Sequence, residues 1–411
     1  MISGVACADT VGGAWPRPGA GACARTADTD TTPTPTKSAS KERDTDIDSA
    51  SNQTKSGSRS ENSPHSSAAF RIPGSGIPDP VLYTVPLAPL RVAFLGCGFI
   101  TRVHSRHLRS LKGEIVSSYA SRDRAKAEAF RREHGGVTSY ATYTAAIEDT
   151  NVDAVVVAVP PRWHLDLTLQ ALEAGKHVLV EKPAYLRLED YDAVVKARDR
   201  AGRVVLVGEN DHYKPLAVTL RRLIAQGVLG DMVFAHFTTI ARRLKAGDDW
   251  RNDEDVAGGD AFFEEGIHWL HLASSLGPRV EAIHGYRPSV STTGLDTRAK
   301  SMLVSFRYDN GAVGSLYYSR EVPSLLRGLR LSKLFGRRRV ITFESNGLFV
   351  LVRGEGAPSL ILPGFRDMRG YQAMYRDFAH AIGTDGVPQM SLERALEDHR
   401  LMDQIYATVA P

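Results

Sequence analysis

The 411-residue sequence is poor in cysteine, in long apolar runs and in excess charge, and each shortage excludes something. Its three cysteines, Cys7, Cys23 and Cys97, are too few and too scattered for a disulfide framework or a zinc site. That scarcity fits a reducing compartment, and a cytoplasmic location is expected. No apolar run approaches the roughly 18 residues needed to cross a bilayer, so no membrane partner is expected. The opening MISGVACADTVGGAW lacks a basic stretch, an apolar stretch and a twin arginine, so no export signal is expected. A formal net charge of +4 gives no argument for nucleic acid as a partner. No Cys/His or HExxH arrangement points to a metal.

What is present divides the chain into three parts. Residues 1–88 are built largely from Ser, Thr, Asp, Lys and Pro. Such a segment buries too little to offset its ordering entropy, and is expected to be a disordered, dispensable tail. From Leu90 onward, short apolar runs alternate with helical patterns: RVAFL, IVSSYAS, DAVVVAVP, HVLV and VVLVG are separated by segments such as RAKAEAFRREH and LDLTLQALEAG. Strands alternating with helices in this way predict βαβ units and a doubly wound parallel sheet of the Rossmann type over residues 89–213. Beyond residue 214 the runs lengthen and alternate, as in MVFAHFTTIAR and KSMLVSFRYDNGAVGSLYYSR, with DNGA as a hairpin turn. Residues 214–411 therefore predict an α+β domain with a large, mostly antiparallel sheet, closed by two helices expected to pack back on the first domain.

The segment Gly96-Cys97-Gly98-Phe99-Ile100-Thr101 sits between a strand and a helix. Gly96 suits a tight turn, Gly98 permits close approach of a pyrophosphate, and the helix N-terminus supplies amides and a positive dipole end. Thr101 stands where the dinucleotide fingerprint carries its third Gly or Ala. The second strand ends in Ser121-Arg122 rather than a terminal carboxylate. A hydroxyl beside a guanidinium suits a 2′-phosphate, so NADP is expected over NAD, with Asp123 as a rival that would reach the ribose of NAD. A separate puzzle is VLVEKPAYL, where a buried strand runs directly into Glu181-Lys182-Pro183; a charge pair there costs desolvation unless it has work to do.

GCGFITRVHSRHL, PPRWH (160–164), EKP (181–183), Trp250-Arg251 and GGDAFFEEGIHWLH (258–271) come in the order and spacing of the Gfo/Idh/MocA oxidoreductases, which the chain resembles from about residue 90 to its end. The resemblance implies hydride transfer between a nicotinamide and a carbonyl or secondary alcohol of a sugar, cyclitol or related polyol. It implies that Lys182 is the principal acid/base, helped by His268 and by Glu264, which stands where the family usually has Asp. Glu181, Pro160, His164, Trp250 and Arg251 are implied to join Gly96, Cys97, Gly98, Phe99, Ile100, Ser121 and Arg122 around the cofactor. Glu264 and His271, the latter also replacing a common Asp, are implied to face the sugar. A homo-oligomer, dimer or tetramer, is expected from the large sheet. Relatives that sense a ligand without catalysis, or that use the cofactor in lyase or glycosidase chemistry, are the alternatives. Finally, Arg327, Arg330, Lys333, Arg337, Arg338 and Arg339 form a run without acids, read as a solvated loop that could otherwise meet a phosphorylated or nucleotide-linked sugar.

Overall fold

The computed structural model describes residues 88–243, 250–288, 300–324 and 329–409. All fall in one compact unit, Ser67–Pro411. The expected tail, apart from Ala88, and Arg327 lie outside the described residues.

Six strands form the first sheet: β1 (Leu90–Leu95), β2 (Ile115–Ala120), β3 (Ser139–Tyr140), β4 (Ala154–Val157), β5 (His177–Val180) and β6 (Val205–Val207). Their order is β3-β2-β1-β4-β5-β6 and every pairing is parallel. The central strands read as unbroken Val, Leu and Ala because helices cover both faces. These are α1 (Phe99–Leu108), α2 (Arg124–His134), α3 (Tyr143–Glu148), α4 (His164–Glu173) and α5 (Leu188–Ala201). Gly135 and Gly202 close α2 and α5 in the left-handed conformation that a side chain resists. The chain order reverses between β1 and β4, and in such sheets the crevice beyond the strand ends at that point is the binding position.

The second half adds α6 (Pro215–Ala225), α7 (Glu254–Ala257), α8 (Ile267–Ser274), α9 (Tyr371–Gly383) and α10 (Leu392–Thr408). Its sheet holds β7 (Met232–Ile240), β8 (Val280–Tyr286), β9 (Ser301–Tyr308), β10 (Val313–Ser319), β11 (Leu331–Gly336), β12 (Arg339–Glu344), β13 (Val350–Gly354) and β14 (Ser359–Ile361). The order is β14-β13-β12-β11-β7-β10-β9-β8, antiparallel except where β7 meets β10. The inner face packs on α6 and α8 around Phe237, Leu316, Leu334, Phe343 and Leu270. Helix α9 gives Tyr371, Met374, Tyr375 and Phe378 to the core of the first sheet, and α10 spans both cores through Leu392 and Ile405.

Among the described residues, the basic run is a solvated loop only at Arg337 and Arg338, which are exposed between β11 and β12; the stretch before them is a strand. Leu331–Gly336 is β11, with Ser332 and Leu334 buried and Leu331 and Lys333 exposed. The alternation of LSKLFG carries this strand, and its charges mask it. Among the described residues, no helix is long and apolar enough to cross a membrane.

Candidate active site

The loop after β1 has the form a bound pyrophosphate needs. Gly96 has φ +113°, and a Cβ there would lie 2.5 Å from the Ala158 carbonyl oxygen after β4. Only glycine fits at that strand crossing. A Cβ on Gly98, at the start of α1, would meet nothing within 4 Å, and Phe99 is exposed, so the approach to the helix N-terminus is open. Ile100 is half-buried behind it. Thr101 has its own reason for replacing the third small residue: its buried hydroxyl donates to the Gly96 carbonyl at 2.6 Å and holds the turn. Cys97 is buried, its thiol 3.5 Å from the Ala120 carbonyl, and burial pushes its pKa up to about 11. Only its backbone is available to a ligand.

At the end of β2, Ser121 is buried and Arg122 is exposed, with its guanidinium 5.8 Å from the Trp163 ring. Asp123 is committed elsewhere. Its Oδ1 accepts from the amides of Ala125 and Lys126 at 2.9 and 3.2 Å, capping α2. Pro160 opens the turn after β4, and His164 is buried with both ring nitrogens against carbonyls: Nε2 at 2.8 Å from Val159, Nδ1 at 3.0 and 3.1 Å from Pro183 and Ala184. Thus His164 ties the PPRWH turn to the EKP turn from inside the protein.

Beyond β5, Glu181 turns inward and Lys182 outward, as successive residues on an extended chain must. Glu181 is 5% exposed and accepts from His104 Nε2 at 2.9 Å, while His104 Nδ1 meets the Tyr375 hydroxyl at 2.8 Å. Burial pushes the Glu181 carboxyl up, yet the His104 hydrogen bond and charge, with Lys182, outweigh it and hold it below the usual range. Its neighbour just after β6 is Gly208, where a Cβ would sit 2.7 Å from Glu181 Oε1. The Lys182–Pro183 peptide bond is cis. Lys182 Nζ donates to the Glu264 carbonyl at 2.8 Å and lies 4.0 Å from Glu264 Oε1. Arg251 Nε reaches the same carboxylate at 3.2 Å and stacks over Trp250 at 4.6 Å.

Glu264 belongs to a π-helical turn, Phe262–Gly266, that runs into α8. The carboxylate beside His268 comes from a different element. Glu209, just after β6, sets Oε1 and Oε2 at 2.6 and 2.8 Å from His268 Nδ1, and is 2% exposed. Burial pushes the His268 imidazole down and Lys182 opposes its charge, but Glu209 and Asp211 prevail and hold its pKa raised. Glu209, Asp211 and His268 place one ligand-type atom each within 4.8 Å of one another. Lys214 Nζ already holds Asp211 at 2.6 Å. A water-sized cavity adjoins the group, lined by Lys182, Glu209, Tyr191, Ile267 and Asp398.

The chain has known relatives. Residues 90–209 match the model of the oxidoreductase family with an NAD-binding Rossmann fold, and residues 217–331 match the Gfo/Idh/MocA C-terminal domain. A 1,5-anhydro-D-fructose reductase from Ensifer adhaerens is 33% identical over 297 residues, 70% of this chain and 86% of that protein. The chain belongs to the Gfo/Idh/MocA oxidoreductase family. A protein named D-xylose 1-dehydrogenase (NADP(+)) 2, from Haloferax volcanii, is 27% identical over 71% of this chain and 88% of its own length. Among solved structures, levoglucosan dehydrogenase in complex with NADH and levoglucosan superposes with a TM-score of 0.69 at 20% identity, covering 78% of this chain and 97% of that one. That likeness establishes the fold.

Set against this Gfo/Idh/MocA framework, one site expectation changes and one residue is added. His271 does not face a substrate: it is 1% exposed, with Nδ1 2.7 Å from Asp398 and Nε2 2.9 Å from His212. A His here is balanced by an Asp on α10. Glu209 was missed, because a lone Glu after VVLVG carries no motif. The available signal was positional, since β5 and β6 each run into a glutamate at the same sheet edge.

Proposed function

We propose that this chain is an NAD(P)-dependent oxidoreductase, favouring NADP(H), that moves hydride between the nicotinamide and a carbonyl or secondary alcohol of a sugar, cyclitol or related polyol. The observation that carries this reading is the convergence of Lys182 from β5, His268 with Glu209 from β6, and Glu264 with Arg251, at the edge where Gly96 and Gly98 leave a cradle. A bound nicotinamide supplies the hydride chemistry. The protein's own residues supply the proton and its path. Lys182, anchored by the Glu264 carbonyl at 2.8 Å, hydrogen-bonds the reacting oxygen and gives or takes its proton. His268, fixed through Nδ1 by Glu209, keeps Nε2 for the substrate or for the proton's next step. The Glu209–Asp211–His268 group is read as acid/base machinery and not as a metal site, because Lys214 already neutralises Asp211.

Arg122 and Ser121 are assigned to the 2′-phosphate of NADP. Support comes from Asp123, whose carboxylate is used in capping α2, and from a guanidinium left exposed beside Trp163. Gly96, Cys97, Gly98, Phe99, Ile100 and Pro160 are assigned to the cofactor cradle, with Trp250 and Arg251 closing it. His164 and Glu181 act by positioning the two turns. Residues 89–213 form the cofactor half and 214–411 the substrate half. The outer face of the second sheet, with Phe234, Val313, Tyr317 and Leu331 all exposed, favours a homo-oligomer. Steady-state turnover with NADPH and NADH over a panel of ketosugars and polyols tests the reading. Tight NADPH binding without turnover of any of them would favour a ligand sensor instead.

A further inference from the structure

Two arginines that flank strands of the second sheet are buried with no bonded counter-charge among the described residues. Arg330 is 4% exposed and Arg320 5%. Arg330 makes one long side-chain contact, Nη1 to Thr239 Oγ1 at 3.4 Å, and stands 5.6 Å from the Trp269 ring of α8. Its Nε is buried and has no acceptor among the described residues. Arg320 follows β10; its backbone bonds to Lys300 and Arg243, while its guanidinium has no hydrogen-bond or ion-pair partner among the described residues.

Both belong to the wall that carries Glu264. Strand alternation keeps Arg320 on the face of Tyr318, whose hydroxyl donates to the Ala261 carbonyl at 2.9 Å and meets Glu265 Oε2 at 3.3 Å. The Tyr318 hydroxyl feels the charges of Glu265, Arg320 and Glu264, and Arg330 feels those of Arg243 and Glu265. Because Tyr318 bonds Ala261 and Glu265, on either side of Glu264 in the chain, the cluster adjoins the residue whose carbonyl anchors Lys182. Its carboxylates are already occupied. Glu265 pairs with Arg243 at 2.5 Å, and Glu344 accepts from the backbone amides of Arg330 and Asn346 and from the Asn346 side chain. Three guanidinium groups thus share two carboxylates, and an unpaired buried cation is expensive to keep. The rest of the basic run does not join them, since Lys333, Arg337 and Arg338 are exposed.

We propose that Arg320 and Arg330 receive an anionic group of the substrate, a carboxylate or a phosphate, so that the enzyme acts on a sugar acid or sugar phosphate in preference to a neutral sugar. This rests on the oxidoreductase reading above. Guanidinium groups suit either anion through paired N–H donors.

The test measures binding of D-glucose, D-gluconate, D-glucuronate and D-glucose 6-phosphate to the NADPH-loaded full chain by calorimetry and thermal melting. At least one anionic probe should bind about 10-fold or more tightly than glucose, as expected for a charge-assisted contact. The acids against the phosphate separate the two anion classes. Arg320→Met and Arg330→Met should each abolish that preference without lowering the melting temperature, because each removes an unpaired buried charge. Arg320→Lys, which keeps the charge, should retain part of the preference. Glucose binding as tightly as every anion, absence of binding by all four, or a preference that survives both Met substitutions overturns the proposal. So does equal loss in Arg320→Lys and Arg320→Met accompanied by lowered melting. Turnover of glucose with no anion preference would leave the oxidoreductase reading standing; failure to bind either NADPH or NADH would remove that reading itself.

Discussion

Replacing Glu209 by Gln isolates the part of the site that sequence did not announce. The substitution keeps shape and removes one charge from a group 2% exposed, with both oxygens within 2.8 Å of His268 Nδ1. A hydrogen bond between charged partners contributes about 1.5–3 kcal/mol, and solvent screening is small at this depth. At about 1.4 kcal/mol per decade, turnover should fall roughly 10- to 100-fold if the bond holds His268 in its working orientation. The pH profile adds a sign. Glu209 is the largest influence raising the His268 pKa, against burial and Lys182. Without it, the limb of the rate profile that belongs to His268 must move to lower pH, whether oxidation or reduction is followed. Linkage gives a matching stability effect: a raised folded-state pKa contributes stability below about pH 6.5 that is lost as pH rises through the folded value. The wild-type advantage in melting over Glu209→Gln should therefore be larger in mild acid and shrink toward alkaline pH. Initial rates across pH with NADPH, beside melting curves in the same buffers, decide the matter. Unchanged turnover together with an unmoved limb would refute the positioning role.

Further outcomes follow from the same geometry. Lys182→Ala should lower turnover by about 10²- to 10⁴-fold, the contribution of a positioned acid or base, while leaving NADPH affinity near wild type by fluorescence titration; near-wild-type turnover would reject Lys182 as the acid/base. Arg122→Ala should weaken NADPH roughly 10- to 100-fold and NADH little, measured by the same titration, and equal weakening of both would return the ribose to Asp123. A charge on the outer sheet face, as in Tyr317→Glu, should split the proposed homo-oligomer in light scattering with little change in helix and strand content, because Tyr317 is 41% exposed in the single chain; a wild-type monomer would refute the proposal.

The fold was legible because its signals are local. Each parallel strand is an apolar run bounded by turns, and Gly96 announces its own strained turn. Arg330 and the basic run show where local reading fails: six cations in one stretch read as solvated, yet the chain alternates through β11, so that burial there is decided by strand pairing. The active site was half legible for a related reason. Lys182 and His268 sit in motifs, whereas Glu209 and His268 are 59 residues apart and meet only because α8 packs against the segment that follows β6. The structure also changes what the motif residues mean. Glu264 stands four residues before His268, as the family's acidic position does, but the π-helical turn Phe262–Gly266 intervenes and its carboxylate bonds Arg251. The longer side chain of Glu at that position thus serves the lysine side of the cleft, and the imidazole side draws its carboxylate from β6. Gly208 makes this possible: a side chain there would strike Glu181, so β6 can run past β5 to deliver Glu209 only with glycine in between. An Ala at position 208 would displace one glutamate or the other, coupling the buried His104–Glu181 pair to the half-buried His268.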